Sequence, residues 1–542
     1  MEGWQKTIEV VEEDGRANQM RLFTDREGGV PESGDVAEVV LSSLAVCKPR
    51  QFGDCWIGCR MWEELGLGGF WGEALKEEKG NVPWEKVVEL LVVNRLCAPG
   101  SELALHEKWI GQTAMEFLLG TGPEVGEKDR LYRCLDRMVE HKEELEKHLA
   151  GRWEDLFGAT FDLLLYDLTS TYFEGEVEEV EKAKRGYSRD HRGDCKQVVL
   201  ALVATPEGLP LSYEVFDGNR VDVTTMVEIL EALERKYGKA RRILVFDRGI
   251  VSEENLEAIR KRGGLYLTAT TRRELDSYEK ELLNGEWKDL SGEVKVQLVN
   301  EGGETYVLAK SSKRSEKEKA MRQRWIKGLM RDLAKMKKAL RDKRLVDEKK
   351  IYYRLGRFQE RHPQAWGYVK VEWKEGVLKW EWDKERLKFA SAKDGAYLLR
   401  TNLNEKDPEV LWRAYIQLTE VEAVFRILKS DLRIRPIWHF TPKRVEAHLM
   451  VAFLGYCLWV CLKHKLKACA PSLTPWQVLD QFKRIWMVEV WFKLKDGRSL
   501  CLPRITQPEP AQAALLDQLG WKLPEQPPPR IYANQVSGVW PT

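Results

Sequence analysis

Residues 161–173 read FDLLLYDLTSTYF and residues 241–247 read RRILVFD. Each holds a short apolar run that ends on an aspartate, LLLYD at Asp167 and ILVFD at Asp247. Runs this apolar suit strands covered on both faces. Between them lies KQVVLALVATPEGLPLSYEVF (196–216), whose Pro206-Glu207-Gly208 has the chemistry of a hairpin turn, and then the helical stretch VTTMVEILEALERKYG (223–238). Beyond Asp247 come a second helix from Ser252 and the run GGLYLTAT (263–270). A hairpin followed by strand, helix, strand, helix, strand predicts a mixed α/β sheet. Its later strands run parallel through crossover helices.

Ligands of open α/β sheets gather beyond the carboxyl ends of the strands, where a buried run delivers a side chain to a fixed place beside solvent. A lone aspartate there more often ends its strand or caps the next turn. Two in one sheet weaken that reading. A third element is YIQLTEVEAVFRILKSDLRIR (415–435), read as part of a long helix over 408–429. Tyr415, Glu422 and Lys429 stand seven residues apart, so they drift by only about 20° per step and share one stripe. Val421, Val424, Phe425 and Leu428 supply the apolar face beside it. Taken alone, the stripe fits a solvated helix surface equally well.

Together the segments resemble insertion-sequence transposases of the DDE class, in the branch marked by a Y-x2-R-x3-E-x6-K motif. Tyr415, Glu422 and Lys429 match that motif in spacing, and YDLTSTYFEG, GYSRDHRGDCKQVVLALVATPEGLPLSYEVFDGN and FDRG add to the resemblance, which runs over about 166–448. One departure stands out: the motif arginine falls on Leu418. Arg426, one turn beyond Glu422, and Arg413 are the candidates to replace it.

The resemblance implies a ribonuclease-H-like mixed sheet core with a mostly β insertion domain, a helical N-terminal domain and a helical C-terminal region. It further implies catalytic carboxylates Asp167, Asp247 and Glu422 holding two Mg²⁺ ions, with Mn²⁺ able to substitute. Such ions suit hard oxygen ligands and serve phosphodiester cleavage without a general-base histidine. Cleavage of transposon ends and their joining to target DNA follow, with a homodimer on double-stranded DNA as the expected assembly. Tyr415, Lys429, Arg426, Arg248, Arg189, His191 and Arg192 are the expected DNA-binding residues. A nuclease without strand transfer and a catalytically silent DNA-binding relative stay open. A glycosidase reading leaves the Tyr and Lys stripe unexplained.

The implied organisation is a helical domain over 1–150, a core in two parts over 151–271 and 394–465, an insertion over 272–393, and a C-terminal region over 466–542 with an irregular Pro-rich tail. Formal net charge is +1 over 542 residues, so composition alone announces no nucleic-acid partner. Residues 310–350, however, hold 17 Lys or Arg against 6 Asp or Glu. That fits either a phosphate-facing arm or a solvated helix. The hairpin candidate VKVEWKEGVLKWEWD turns at Glu375-Gly376. Its tryptophans (Trp373, Trp380, Trp382), with Trp366 before it, either stack on a displaced base or pack the hairpin. Residues 84–109 read as two helices around Pro99-Gly100 with Ser101 as cap, a DNA-reading pair or a plain bundle. The scattered cysteines lack zinc-site spacing. The apolar run 449–462 is short for a membrane span, and residues 1–16 lack a secretory layout, so a cytoplasmic protein is expected.

Overall fold

The computed structural model describes residues 37–76, 82–239, 241–290, 292–374 and 376–532. The N-terminal stretch 1–16 and Glu375 lie outside them. Strand β1 (Val39–Gln51) leads into helices Gly53–Glu64, Leu67–Ala74, Trp84–Cys97, Lys128–Met138 and Lys142–Phe157. The central sheet has nine strands: β2 (Leu163–Tyr172), β3 (Gln197–Ala204), β4 (Pro210–Asp217), β5 (Ile243–Phe246), β6 (Leu265–Ala269), β7 (Lys288–Leu290), β8 (Val294–Glu301), β9 (Glu304–Ser311) and β12 (Ala396–Thr401). The hairpin β10 (Val369–Lys374) and β11 (Val377–Trp382) stands apart, and β13 (Trp486–Leu494), β14 (Ser499–Ile505) and β15 (Arg530–Tyr532) close the chain.

The sheet order is β4-β3-β2-β5-β6-β12-β9-β8-β7. β2, β3 and β4 are antiparallel, and β5 and β6 run parallel to β2, as the hairpin and crossover signals predict. Helices Met226–Tyr237 and Glu253–Lys261 cover one face with Leu164, Tyr166, Leu244 and Phe246. The other face carries Leu165 and Val245 against Val421, Val424 and Phe425. Strand alternation thus divides the two layers by residue parity.

Three expectations are corrected. The insertion is not mostly β: its largest elements are helices Ser312–Arg341 and Glu348–Arg361, while β7, β8 and β9 join the core sheet through β12. Within the range read as insertion, β9 is pinned to the core by pairing of Leu399 with both Val307 and Ala269, a contact no local pattern reveals. The C-terminal region is not simply helical, because β13 and β14 form a hairpin around Gly497, whose φ of +89° suits glycine, and β13 pairs with β1. Within the Pro-rich tail, Pro510–Leu519 is a regular helix, its first turn tolerating Pro510.

Helix Pro442–Cys469 is long and apolar enough to cross a membrane by composition, and 94% of its most apolar window is buried inside the protein. Around it pack Trp84–Cys97 and Lys128–Met138. Trp84–Cys97 is buried on nearly every side, which makes it a bundle element with no face to offer a groove. Ser101 caps the next helix by accepting from the Ala104 N–H at 3.2 Å. The ten cysteines are free thiols.

Candidate active site

β2 and β5 run in register from Leu163 opposite Ile243 to Tyr166 opposite Phe246. The next residues along the two segments are Asp167 and Asp247, so the pairing brings both to the same end of the neighbouring strands. Asp247 keeps extended backbone, φ −78° and ψ 161°, although β5 has ended. Asp167, read from sequence as a strand terminus, is the fifth of ten residues in β2. The strand continues because β3 pairs with it as far as Tyr172, after its parallel neighbour has stopped. Both aspartates have odd numbers, like Leu165 and Val245, and therefore face the helix that carries Glu422.

That helix is interrupted. Pro408–Ile416 and Leu418–Arg426 meet at Gln417, and the wider turn Ile427–Asp431 follows. Tyr415, Leu418, Thr419 and Glu422 still share a face and line one cleft with Asp167 and Asp247, about 370 Å³ in volume. Lys429 is not in that lining. The wide turn takes it off the seven-residue stripe, and its Nζ donates to Asp190 Oδ1 at 2.8 Å. Arg435 joins the same carboxylate oxygen. Burial holds the Lys429 ammonium below its ordinary range, with the Asp190 bond opposing.

Electrostatics mark Asp167 as the strained member of the set. Burial raises its carboxyl to about 7, and the charges of Asp247 and Glu422 add to that. The Leu168 N–H, donating at 2.8 Å, and Arg189 pull the other way. Burial first, then Asp247 and Glu422, also push the Tyr415 hydroxyl up, so it stays a neutral donor at the rim. Asp167, Asp247 and Glu422 supply three hard oxygen donors to one cleft, but their ligand oxygens do not all lie within 4.8 Å of one another.

The remaining expected DNA contacts scatter. Arg248 lines the cleft. Arg189 donates to Asp222 at 2.5 Å, and Arg192 is held by Asp194 and Glu174 while lying over the Tyr172 ring. His191 sits exposed at a φ of +58°. Arg426 is exposed and outside the cleft lining, and Arg413 pairs with Glu409. Trp366, Trp373, Trp380 and Trp382 pack against a satellite core of Leu329, Leu333 and Ile351, which favours the packing reading.

Sequence reasoning missed Arg272, Arg314 and Tyr397, all in the cleft lining. Arg272 was legible by the argument that found the aspartates, since it lies just past the end of β6. Arg314 and Tyr397 were not, because they reach the cleft only through the pairing of β12 between β6 and β9.

Away from the cleft, Glu102, His439 and His448 gather three ligand-type atoms within 4.8 Å, all buried. Arg95 Nη2 stands 3.5 Å from His448 Nδ1, a fixed positive charge against the group. Within the cluster His439 Nε2 lies 3.2 Å from Glu102 Oε2.

A family model described as transposase DDE domain matches residues 160–458. No curated protein matches the chain. Among solved structures it is similar to a piggyBac transposase synaptic complex with hairpin DNA, at 9% identity and a TM-score of 0.36, covering 79% of this chain and 78% of that one. It is also similar to a pre-cleavage Mos1 transpososome, at 14% identity and a TM-score of 0.15, covering 35% of this chain and 60% of that one. A Mos1 mariner paired end complex with Mn gives 15% identity, a TM-score of 0.15, and coverage of 38% and 65%.

Proposed function

The chain belongs to the transposase DDE domain family, and on that premise we propose that it is a DNA transposase that cleaves transposon ends and joins them to target DNA. The observation that carries this reading is the convergence of Asp167, Asp247 and Glu422 in one cleft. They leave from the first and fourth strands of the core and from a late helix, the layout that the family resemblance implies for a ribonuclease-H-like core.

Asp167, Asp247 and Glu422 would hold divalent ions, Mg²⁺ or Mn²⁺. When bound, these supply a Lewis acid for the phosphoryl oxygens and lower the pKa of the attacking water or hydroxyl. Asp167, whose carboxyl feels the charge of both other carboxylates, would help to hold the ions. Tyr415, kept neutral, donates a hydrogen bond to a phosphate oxygen at the rim. Arg248 offsets charge on the strand as it enters. Thr419 and Leu418 close the helix side and restrict water. A 3′ hydroxyl in place of water in the same geometry turns hydrolysis into joining.

The test is cleavage of DNA bearing the element's own ends with Mg²⁺ or Mn²⁺, comparing wild type with Asp247→Asn and Glu422→Gln. Cutting at the boundary that both variants abolish supports the reading, and joined products separate a transposase from a nuclease. Binding without any cutting would instead favour the silent relative. The DNA-bound species is proposed to be a homodimer holding two ends, free of membrane and in the cytoplasm. A mass by light scattering equal to one protomer per complex would refute the dimer.

A further inference from the structure

The position where the family motif carries an arginine is filled here by Leu418, an apolar side chain in the cleft wall, 8% exposed. That helix face then offers a phosphate the Tyr415 hydroxyl but no cation in the cleft lining. Across the same cleft stand two guanidinium groups of different origin. Arg272 follows the end of β6, and Arg314 lies in the first turn of Ser312–Arg341, directly after β9. Between them runs β12, carrying Tyr397, so the sheet extension itself carries this pair to the carboxylates.

We propose that Arg314 and Arg272 form a phosphodiester-binding subsite of the cleft, supplying from the sheet extension the contact that Leu418 cannot make. The inference rests on the DNA-cleaving reading above. Both arginines converge on a single oxygen, Glu318 Oε1, Arg314 through Nε at 2.9 Å. The other oxygen of Glu318 is occupied by the Gly395 N–H at 2.9 Å. One carboxylate therefore orients two guanidinium groups and neutralises only one of them. Arg314 is further fixed over the Tyr397 ring, 4.2 Å from its centroid. Both side chains keep a solvent-facing edge, at 35% and 58% exposure. A guanidinium has five N–H donors, and Arg314 shares them between Glu318 and Tyr397, so donors remain for a phosphate oxygen. The surplus positive charge lines the same cleft as three carboxylates, an arrangement that draws a phosphate backbone toward the carboxylates. A purely structural Arg314, pinning β9 to the helix, would have no dealings with DNA.

The full chain and an end-bearing duplex decide between them. Each phosphate near the cut is replaced in turn by a neutral methylphosphonate, and binding is measured without divalent ions for wild type, Arg314→Ala and Arg314→Lys. Wild type is expected to lose about tenfold in affinity at one or two phosphates next to the cut. Arg314→Ala is expected to lose about tenfold on unmodified DNA and nothing further on those substrates. Arg314→Lys should recover only part, since an ammonium lacks the fork. If the penalties of the variant and of the methylphosphonate multiply at every position, the subsite is overturned. Arg272→Ala, the more exposed of the pair, reads the same coupling should Arg314→Ala fail to fold. Asp247→Asn runs alongside with Mg²⁺. If it still cuts, the carboxylate reading fails independently of the coupling; if it binds but does not cut, the coupling judges the subsite alone.

Discussion

Asp167→Asn is predicted to stabilise the metal-free protein at alkaline pH. Its carboxyl is lifted from 3.8 to about 7 by burial and by Asp247 and Glu422. A difference of roughly three units is worth about 4 kcal/mol at about 1.4 kcal/mol per unit, a ceiling that water in the open cleft reduces to about 2 kcal/mol. The direction follows from proton binding. An acid whose folded pKa is raised holds its proton in the native state while the unfolded chain has lost it, so stability falls as pH rises from about 4 to about 7 and stays low above. Asparagine keeps the shape and an acceptor for the Leu168 N–H without the charge. Thermal unfolding in a chelator at about pH 5 and about pH 8.5 checks this. The variant should melt a few degrees above wild type at the higher pH, with most of that gain gone at the lower. Mg²⁺ should then raise the wild-type midpoint at alkaline pH and leave the variant nearly unmoved. An equal difference between the two proteins at both pH values would refute the electrostatic account.

Other outcomes are expected from the same geometry. Lys236 Nζ sits 2.7 Å from both Glu146 and Glu214, with its side chain 1% exposed; Lys236→Met should cost about 3–5 kcal/mol by stranding Glu146 in the interior, measured as a lowered unfolding midpoint. Leu418→Arg should leave cleavage by the wild-type background within about threefold yet restore at least about tenfold to Arg314→Ala, because it returns a guanidinium to the same cleft; no rescue would argue that the two positions serve different phosphates. Glu102 is held down to about 2, against its own burial, by His439 and Arg95. A lowered carboxylate pKa stabilises above about 4.5 and loses that contribution as pH falls toward 2, so Glu102→Gln should cost about 3 kcal/mol at neutral pH, with the two unfolding midpoints converging in acid.

Sequence legibility followed the range of the physical interaction. Asp167 and Asp247 were visible because buried strands write themselves as local apolar runs, and parity then fixed their common face. The parallel pair and its antiparallel hairpin were legible for the same reason. Glu422 owed more to the family resemblance than to periodicity: the stripe that linked it to Lys429 assumes an unbroken helix, and the chain departs from one at Gln417 and again at Ile427–Asp431. Lys429 matches the motif in spacing, yet in the folded chain it lies off the stripe and donates to Asp190. Arg314 and Tyr397 were beyond reach, since register between β9 and β12 joins residues some 90 positions apart, such as Val307 and Leu399. The same kind of long-range pairing, β1 with β13, hid the strands that close the C-terminal region.

The N-terminal helices act on the cleft through the chain that follows the glutamate helix. Arg95, buried in Trp84–Cys97, donates to the carbonyls of Leu432 and Arg433 at 3.4 and 3.3 Å. His448 Nε2 lies 3.0 Å from the Ile434 carbonyl, and the Thr171 hydroxyl, on the Asp167 strand, donates to that same oxygen at 3.3 Å. Ile437 N–H returns to Tyr172. Residues 432–437 are therefore gripped between the helical unit, the long buried helix and β2. These contacts anchor the segment that follows Lys429, and through it the position of the helix that carries Glu422 depends on packing remote from the cleft. Helices Lys142–Phe157 and Pro442–Cys469 run through residues 150 and 465, where compositional boundaries had been drawn. The helical unit is in this sense part of the scaffold of the candidate site, and any DNA-end recognition proposed for it must use the surface left over after that packing.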